Sequence, residues 1–345
     1  MLIWAGVATI GAVTALSVRY RTYKDYLERK HEFELLDWQT FGARTLLVTL
    51  GARGGRALPK WQPGAHLVLE IPSAQGGAVR RAFSLCGGTA TSYQLAIACR
   101  PEGKLTGPLV RDLKKGLRLT AYAPRNRFFR LSKSRAPLAL IGIGTGIAPL
   151  LPMARQALAA GRRVSVLYGA RDLDSAVLHR EFSALAEAEG MGYRLTLSQP
   201  APDWQGARGR IGPEEIAHLV ADHPGEICLC GSEPFLQACR ATLAALGWQG
   251  RLQSEAFATA APPANRAARI SVNGQSFAQG DAPNLLAACE ENGVFPFAEC
   301  RSGQCRSCRV TVVAGEVSTP DGGRTTGAQI LACQCRALGD VTLKL

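Results

Sequence analysis

The chain lacks the marks of several function classes. It has no G-x-S-x-G nucleophile motif, and its five histidines (His31, His66, His179, His218, His223) share no metal-ligand or triad spacing, which argues against a serine hydrolase or a histidine-based metal enzyme. It has no low-complexity tract, and its 47% hydrophobic and 19% charged residues are those of a globular protein. Its 345 residues suffice for two or three domains. The net charge is +13, yet no basic helix or aromatic-interleaved basic motif accompanies it, so nucleic acid is not the expected partner. Residues 267–345 carry seven basic and seven acidic side chains, so the excess lies upstream, where anionic lipid, nucleotide phosphate or an acidic protein would meet it. The eleven cysteines show no disulfide framework.

Four of those cysteines carry the clearest chemistry. Cys300, Cys305 and Cys308 follow a C-x4-C-x2-C spacing, and Cys333 stands further on. This is the plant-type ligand set of a [2Fe–2S] cluster. Thiolates are soft anionic donors that suit iron, while Ser302, Gly303 and Ser307 let the backbone curl and turn N–H groups to sulfur. A structural zinc site usually needs paired C-x2-C knuckles, and only one such pair is present here. Such a cluster moves single electrons, so the rest of the chain should supply and receive them, in a reducing compartment.

Residues 1–18 are uncharged and apolar, with Arg19, Arg21 and Lys24 following. Their length is at the short end of a membrane span, and charge after rather than before the apolar run predicts a single-pass anchor with the body in the cytoplasm. A buried or peripheral helix is the alternative. Residues 20–34 read as a polar juxtamembrane helix or linker. From Phe33 to Leu131, short apolar runs broken by Gly and Pro (TLLVTL, AHLVLEIP, RAFSLC, YQLAIACR, LRLTAYAP) predict a small antiparallel barrel. Within it, Arg81-Ala82-Phe83-Ser84 offers a cation for phosphate, a ring and a hydroxyl suited to a flavin, although an ordinary edge strand would look the same. The Arg100–Gly107 loop entering a short helix resembles a phosphate cradle. Strands then alternate with helices from Leu138 to Phe257, which predicts a parallel sheet with a nucleotide at the strand C-termini. The Gly142-x-Gly144-Thr145-Gly146 turn and Cys230-Gly231 both follow strands there. Cys230 is either a small core residue or a neighbour of a nicotinamide. After a linker rich in Ala and Pro, the last domain opens with strand Ala268–Val272 and a helix at 284–292 leading to the cluster loop.

In order along the chain, Pro63-Gly-Ala-His66, Arg81-Ala-Phe-Ser-Leu85, Pro124-Arg-Asn126-x-Phe128, Gly144-Thr-Gly-Ile-Ala-Pro149, Cys230-Gly231, Glu255-x-Phe257 and the four cluster cysteines resemble phthalate dioxygenase reductase and the related vanillate demethylase reductase subunits. The resemblance covers residues 35–345. It implies a flavin-binding barrel at 34–133, an α/β NAD domain at 134–258, a linker at 259–267 and a β-grasp ferredoxin domain at 268–345, preceded here by an anchor at 1–20 and a linker at 21–33.

Under that resemblance Arg81, Ala82, Phe83 and Ser84 would hold the flavin. Ala98, Cys99 and Arg100 would line its pyrimidine edge, and Gly103, Lys104 and Thr106 would bind its phosphate. Gly144, Thr145, Gly146, Cys230 and Gly231 would flank the nicotinamide, and Phe257 would stack on the isoalloxazine. Arg171 and Asp172 would meet the adenosine ribose, favouring NADH, while Arg162 and Arg163 leave room for the 2′-phosphate of NADPH. The Pro-Arg-Asn-x-Phe segment favours FMN over FAD. The sequence departs from the family where Phe83 replaces a common tyrosine and where the phosphate loop reads Gly-Lys-Leu-Thr. The implied activity is electron transfer from NADH through flavin and cluster to a terminal oxygenase, the Rieske type leading, with no side-chain acid or base required. The alternatives are a membrane-bound di-iron hydroxylase or desaturase as acceptor, or a redox-sensing module. Arg301, Arg306 and Arg309 stud the cluster loop, where an acidic acceptor would dock.

Overall fold

The computed structural model describes residues 30–73, 75–99, 106–258 and 264–345. The apolar segment at 1–20, Arg100, Gly103, Lys104 and most of the linker lie outside them. No helix among the described residues is long and apolar enough to cross a membrane.

Six antiparallel strands close a barrel: β1 (Lys30–Phe41), β2 (Thr45–Ala52), β3 (His66–Pro72), β4 (Ala78–Gly88), β5 (Ser92–Ala98) and β6 (Arg118–Arg125), in the order β1-β2-β5-β4-β3-β6. The sequence pattern yielded five of these. β1 begins inside the stretch read as a juxtamembrane helix or linker. Its charged residues hid a short alternation in which Phe33 and Leu35 point into the barrel core.

The same period of two gives β2 two apolar faces. Leu46, Val48 and Leu50 fill the barrel, while Leu47 points out into a second core. Cys86 of β4 and Ala96 of β5 join Leu47 there, together with Phe129 from the segment after β6. Helix α1 (Thr106–Arg111) follows the loop after β5.

That second core belongs to the next layer. A parallel sheet runs β10-β9-β8-β7-β11-β12, with β7 (Leu138–Ile143), β8 (Val164–Ala170), β9 (Gly192–Leu197), β10 (Ala207–Arg208), β11 (Glu226–Ser232) and β12 (Arg251–Ala258). Helices α2 (Leu150–Ala159), α3 (His179–Glu189), α4 (Pro213–Ala221) and α5 (Glu233–Ala245) connect it. Leu150, Leu151 and Ala154 of α2 pack with Leu47 and Phe129 in one continuous cluster, so barrel and sheet share a core. Each fully buried leucine in it contributes about 1.5–3 kcal/mol.

The strand order reverses between β7 and β11, the crevice where α/β sheets bind nucleotides. The glycine turn after β7 lies in that crevice because a Cβ on Gly146 would stand 2.4 Å from the Cys230 carbonyl oxygen. Only glycine permits this approach.

The last unit has a five-stranded mixed sheet, β14-β13-β20-β15-β18, and a three-stranded one, β17-β16-β19. Their strands are β13 (Arg269–Val272), β14 (Gln275–Ala278), β15 (Arg309–Ala314), β16 (Val317–Ser318), β17 (Arg324–Thr325), β18 (Gln329–Leu331), β19 (Arg336–Ala337) and β20 (Val341–Lys344). Asn273 and Gly274, both at positive φ, make the tight β13–β14 turn. Helix α6 (Leu285–Glu291) is capped by Asn284, whose side chain accepts from the Ala287 amide at 2.9 Å. Leu285, Leu286 and Cys289 bury its inner face against Ile270, Val312 and Val341.

Candidate functional site

The cluster loop runs from α6 to β15. Cys300 and Cys305 are half-buried, whereas Cys308 and Cys333 are buried. The four thiols stand in two hydrogen-bonded pairs, Cys300 with Cys305 and Cys308 with Cys333. Cys305 and Cys308 are each held low by the hydrogen bond from the pair's other thiol, and Cys300 and Cys333 are pushed up by that same bond. The amides of Ser302 and Cys305 donate to Cys300 Sγ at 3.4 and 3.3 Å, and Gln334 Nε2 donates to Cys333 Sγ at 3.5 Å.

Among the described residues, no three or more His, Cys, Asp or Glu side chains are arranged for a single metal ion. Two thiol pairs are what a two-iron cluster with two cysteines per iron requires, so the residues present fit it. The curl of the loop puts Arg301, Gly303 and Arg306 at positive φ (57°, 78° and 58°). The two arginines carry roughly 1–2 kcal/mol of strain each, which the rest of the loop must offset.

On the barrel, β4 carries Arg81, Ala82, Phe83 and Ser84, with Ser84 buried directly across from His66 of β3. The His66 ring is 1% exposed, stacks on Phe128 at 5.3 Å, and neither ring nitrogen has a hydrogen-bond partner. Burial, with repulsion from Arg127 and Arg125 adding, pushes its pKa down to about 3, so the ring is neutral at neutral pH. Orphaned ring nitrogens beside a buried hydroxyl suit a polar heterocycle, and the residues fit a flavin. Ala98 is exposed at the end of β5, and Cys99 is buried beyond it with its amide on the Arg44 carbonyl at 2.6 Å. Thr106 is buried at the start of α1. β5 lies close to the turn holding Gly144, Thr145 and Gly146, bringing barrel and nucleotide crevice together.

In that crevice Cys230 is fully buried, its thiol 3.9 Å from Glu255 Oε2 on the neighbouring β12. A Cβ on Gly231 would come within 2.6 Å of Ile143, so this strand end tolerates no side chain there. Phe257 packs, partly buried, on the core that includes Cys230. Burial pushes the Glu255 carboxyl up to about 8 and the Cys230 thiol well above its ordinary value. A protonated carboxyl in this crevice was not assigned a role from sequence; the signal available was Glu255 two residues before Phe257 in the last strand of the sheet.

Just beyond the end of β8, Arg171 Nε donates to Gln199 at 2.8 Å, and Asp172 Oδ1 accepts from the Ser175 amide at 2.8 Å. The suggested role of Arg162 and Arg163 is corrected. Both precede β8 and lie at its opposite end, roughly 20 Å from Ala170 at 3.3 Å per residue. Arg162 is also buried, bonded to Glu226 at 3.1 Å and to the Ala136 carbonyl at 2.9 Å.

The three units meet around the cluster loop. Glu299, 1% exposed, ion-pairs with Arg125 and lies 3.7 Å from Arg127. Burial pushes its carboxyl up while the two arginines oppose the shift. The Ala82 amide donates to the Glu299 carbonyl at 3.2 Å, and Arg301 Nε donates to the Arg80 carbonyl at 2.9 Å. Arg301 is also paired through both terminal nitrogens with Glu290 and is only 8% exposed. It is therefore no docking residue for an outside protein; Arg306 and Arg309 remain exposed. Gln304 spans to the parallel sheet, accepting from the Ala256 amide and donating to the Ser254 carbonyl, both at 3.2 Å.

Residues 140–241 match the oxidoreductase NAD-binding domain, and residues 270–338 match the 2Fe-2S iron–sulfur cluster binding domain. With the thiol pairs and the crevice, these define an NAD(P)H-dependent, iron–sulfur oxidoreductase. A protein of Comamonas testosteroni provisionally named as the reductase subunit TsaB2 of a toluene-4-sulfonate monooxygenase system is 31% identical over 288 residues, 80% of this chain and 84% of that relative. The stachydrine N-demethylase reductase subunit Stc4 of Rhizobium meliloti is 26% identical over 84% of this chain and 89% of its own. The crystal structure of phthalate dioxygenase reductase superposes with a TM-score of 0.67 at 22% identity, covering 92% of this chain and 98% of that one, which establishes the shared fold. The chain belongs to the phthalate dioxygenase reductase and vanillate demethylase reductase family of oxygenase reductase components.

Proposed function

We propose that this chain draws electrons from NADH and delivers them, through FMN and its [2Fe–2S] cluster, to a Rieske-type terminal oxygenase. The observation that carries the reading is the contact between the two candidate cofactor sites. The strand offering Arg81, Phe83 and Ser84 is hydrogen-bonded through Ala82 to Glu299, the residue before Cys300.

When bound, a flavin would accept two electrons as one hydride and pass them on one at a time to the cluster. The chain's own residues do the holding. Arg81 with Thr106 and the residues of its loop bind phosphate, Ser84 offers a hydroxyl, and Phe257 covers the ring face and excludes water. Ala98, Cys99 and Arg100 line the pyrimidine edge. Gly144, Thr145, Gly146, Cys230 and Gly231 flank the nicotinamide. Arg171 and Asp172 receive the adenosine ribose, where an acidic side chain favours NADH. Cys300, Cys305, Cys308 and Cys333 ligate the irons. FMN is favoured over FAD because the Pro124-Arg-Asn126-x-Phe128 segment resembles the FMN branch of the family; Asn126 donates to the Pro63 carbonyl at 2.9 Å and Phe128 stacks on His66, which ties that segment beside β3. Arg306 and Arg309 receive the acidic face of the oxygenase.

An anaerobic NADH titration followed by visible absorbance and low-temperature EPR tests this. Bleaching of the flavin band with growth of a reduced [2Fe–2S] signal is expected; flavin bleaching with a silent cluster defeats the relay.

The apolar run at 1–18 followed by Arg19 and Arg21 favours a second reading. Here the segment anchors the body on the cytoplasmic face of a membrane, and the acceptor is a membrane-bound di-iron hydroxylase or desaturase. Deleting residues 1–20 should then abolish delivery to that acceptor while dye reduction by NADH persists; unchanged delivery returns the choice to a soluble oxygenase.

A further inference from the structure

The residues on either side of Cys300 both reach across to the barrel. Glu299 is almost wholly buried between Arg125 and Arg127, which come from the end of β6 and the segment after it. Its carbonyl takes the Ala82 amide. Arg301, held rigid by its two-pronged pairing with Glu290, gives its Nε to the Arg80 carbonyl. Arg127 adds a 3.4 Å bond to the Cys305 carbonyl, and Arg80 lies over the Phe297 ring at 5.2 Å. The hydrogen bonds to Arg80 and Ala82 bracket Arg81, and they come from the two residues that bracket Cys300. The sheet ladders inside each unit do not need these contacts, since β4 pairs with β3 and β5 without them.

We propose that Glu299, ion-paired with Arg125 and Arg127, and Arg301, bonded to the Arg80 carbonyl, form a clamp that positions the half-buried Cys300–Cys305 side of the cluster loop against the flavin strand. These are positioning residues for the electron step between the two units, and the clamp rests on the relay reading above. A buried carboxylate whose cations are removed is left uncompensated, which is why loss of the arginines should open the seam rather than merely soften it. Lysine keeps the charge but loses the planar fork, so it should restore the contact in part.

The test compares the holoprotein with Arg125→Gln/Arg127→Gln, with the matching double lysine variant, and with Arg127→Gln alone, which touches a half-exposed side chain and leaves the fold least disturbed. Stopped-flow mixing with NADH separates the early flavin bleaching from the later cluster reduction. Hydrogen exchange of the β4 peptide and small-angle scattering report the seam independently of turnover. With flavin content matched, the clamp predicts unchanged flavin bleaching in Arg127→Gln and cluster reduction slower by roughly tenfold to a hundredfold in the double glutamine variant. It also predicts lost protection at Ala82, a larger scattering radius, partial recovery with lysine, and a smaller change in the same direction for Arg127→Gln alone. Unchanged cluster reduction in the glutamine variants, or equal slowing of both phases, overturns it. Should the unaltered protein fail to reduce its cluster with NADH, the relay reading falls, and exchange and scattering alone then decide whether the clamp holds the units together.

Discussion

The barrel meets its two neighbours by different physics. Toward the parallel sheet it shares an apolar core, in which Leu47, Cys86, Ala96 and Phe129 pack with α2. Toward the cluster unit it presents charge and backbone: Arg125 and Arg127 face Glu299, Arg127 also reaches the Cys305 carbonyl, and the Arg80 carbonyl accepts from Arg301. Hydride transfer requires the nicotinamide and its acceptor within a few tenths of an ångström of a fixed pose, and a continuous core supplies that rigidity. Electron transfer carries no bond-making geometry, and an ionic seam with Arg127 at its accessible rim suits it.

The largest expected effect separates the two seams by their cargo. Cys308→Ser should abolish the EPR signal of the cluster and delivery to any acceptor, while NADH-driven dye reduction continues, because the apolar seam is untouched. A parallel loss of dye reduction would join what this comparison keeps apart. Next, Phe129→Ala in the apolar seam should cost about 3–5 kcal/mol, read by calorimetry as a lower transition temperature for barrel and sheet together. Separate melting of the two would refute a shared core.

Glu255 tests the crevice inside the rigid half. Its folded pKa is raised to about 8 from 4.5 by burial, so the proton stabilises the folded state fully below about 4.5 and the benefit is lost as pH rises through 8. Glu255→Gln should flatten that decline between about pH 4.5 and 8 in denaturant midpoints; an unchanged pH profile assigns the decline to other groups. The smallest effect belongs to the ionic seam. Arg127→Gln should alter global stability by about 1 kcal/mol or less, although raising salt should loosen the cluster unit in scattering and leave the calorimetric transition of the apolar half in place.

What could be read from sequence follows from distance along the chain. The thiol set was legible because three ligands lie within nine residues and their spacing is itself the chemistry. The parallel sheet was legible from alternation, and the β13 turn from Asn-Gly. β1 was not, because its charged residues obscured a two-residue inward pattern. Arg162 was misjudged because proximity in sequence to β8 says nothing about which end of the strand it occupies. Glu299 and Arg125 are 174 residues apart, and Cys230 and Glu255 come together only through the register of β11 on β12. Local pattern carries no trace of either meeting.

Gln304 has a consequence beyond the cluster it neighbours. β12 is the outermost strand of the parallel sheet, with β11 on one side only. An open strand of this kind is a template for pairing with another chain. The carboxamide of Gln304 occupies two of its exposed backbone groups, at Ser254 and Ala256, as one residue of a further strand would. The cluster unit is thus also a stopper on the sheet, and its docking guards the solubility of the nucleotide-binding half.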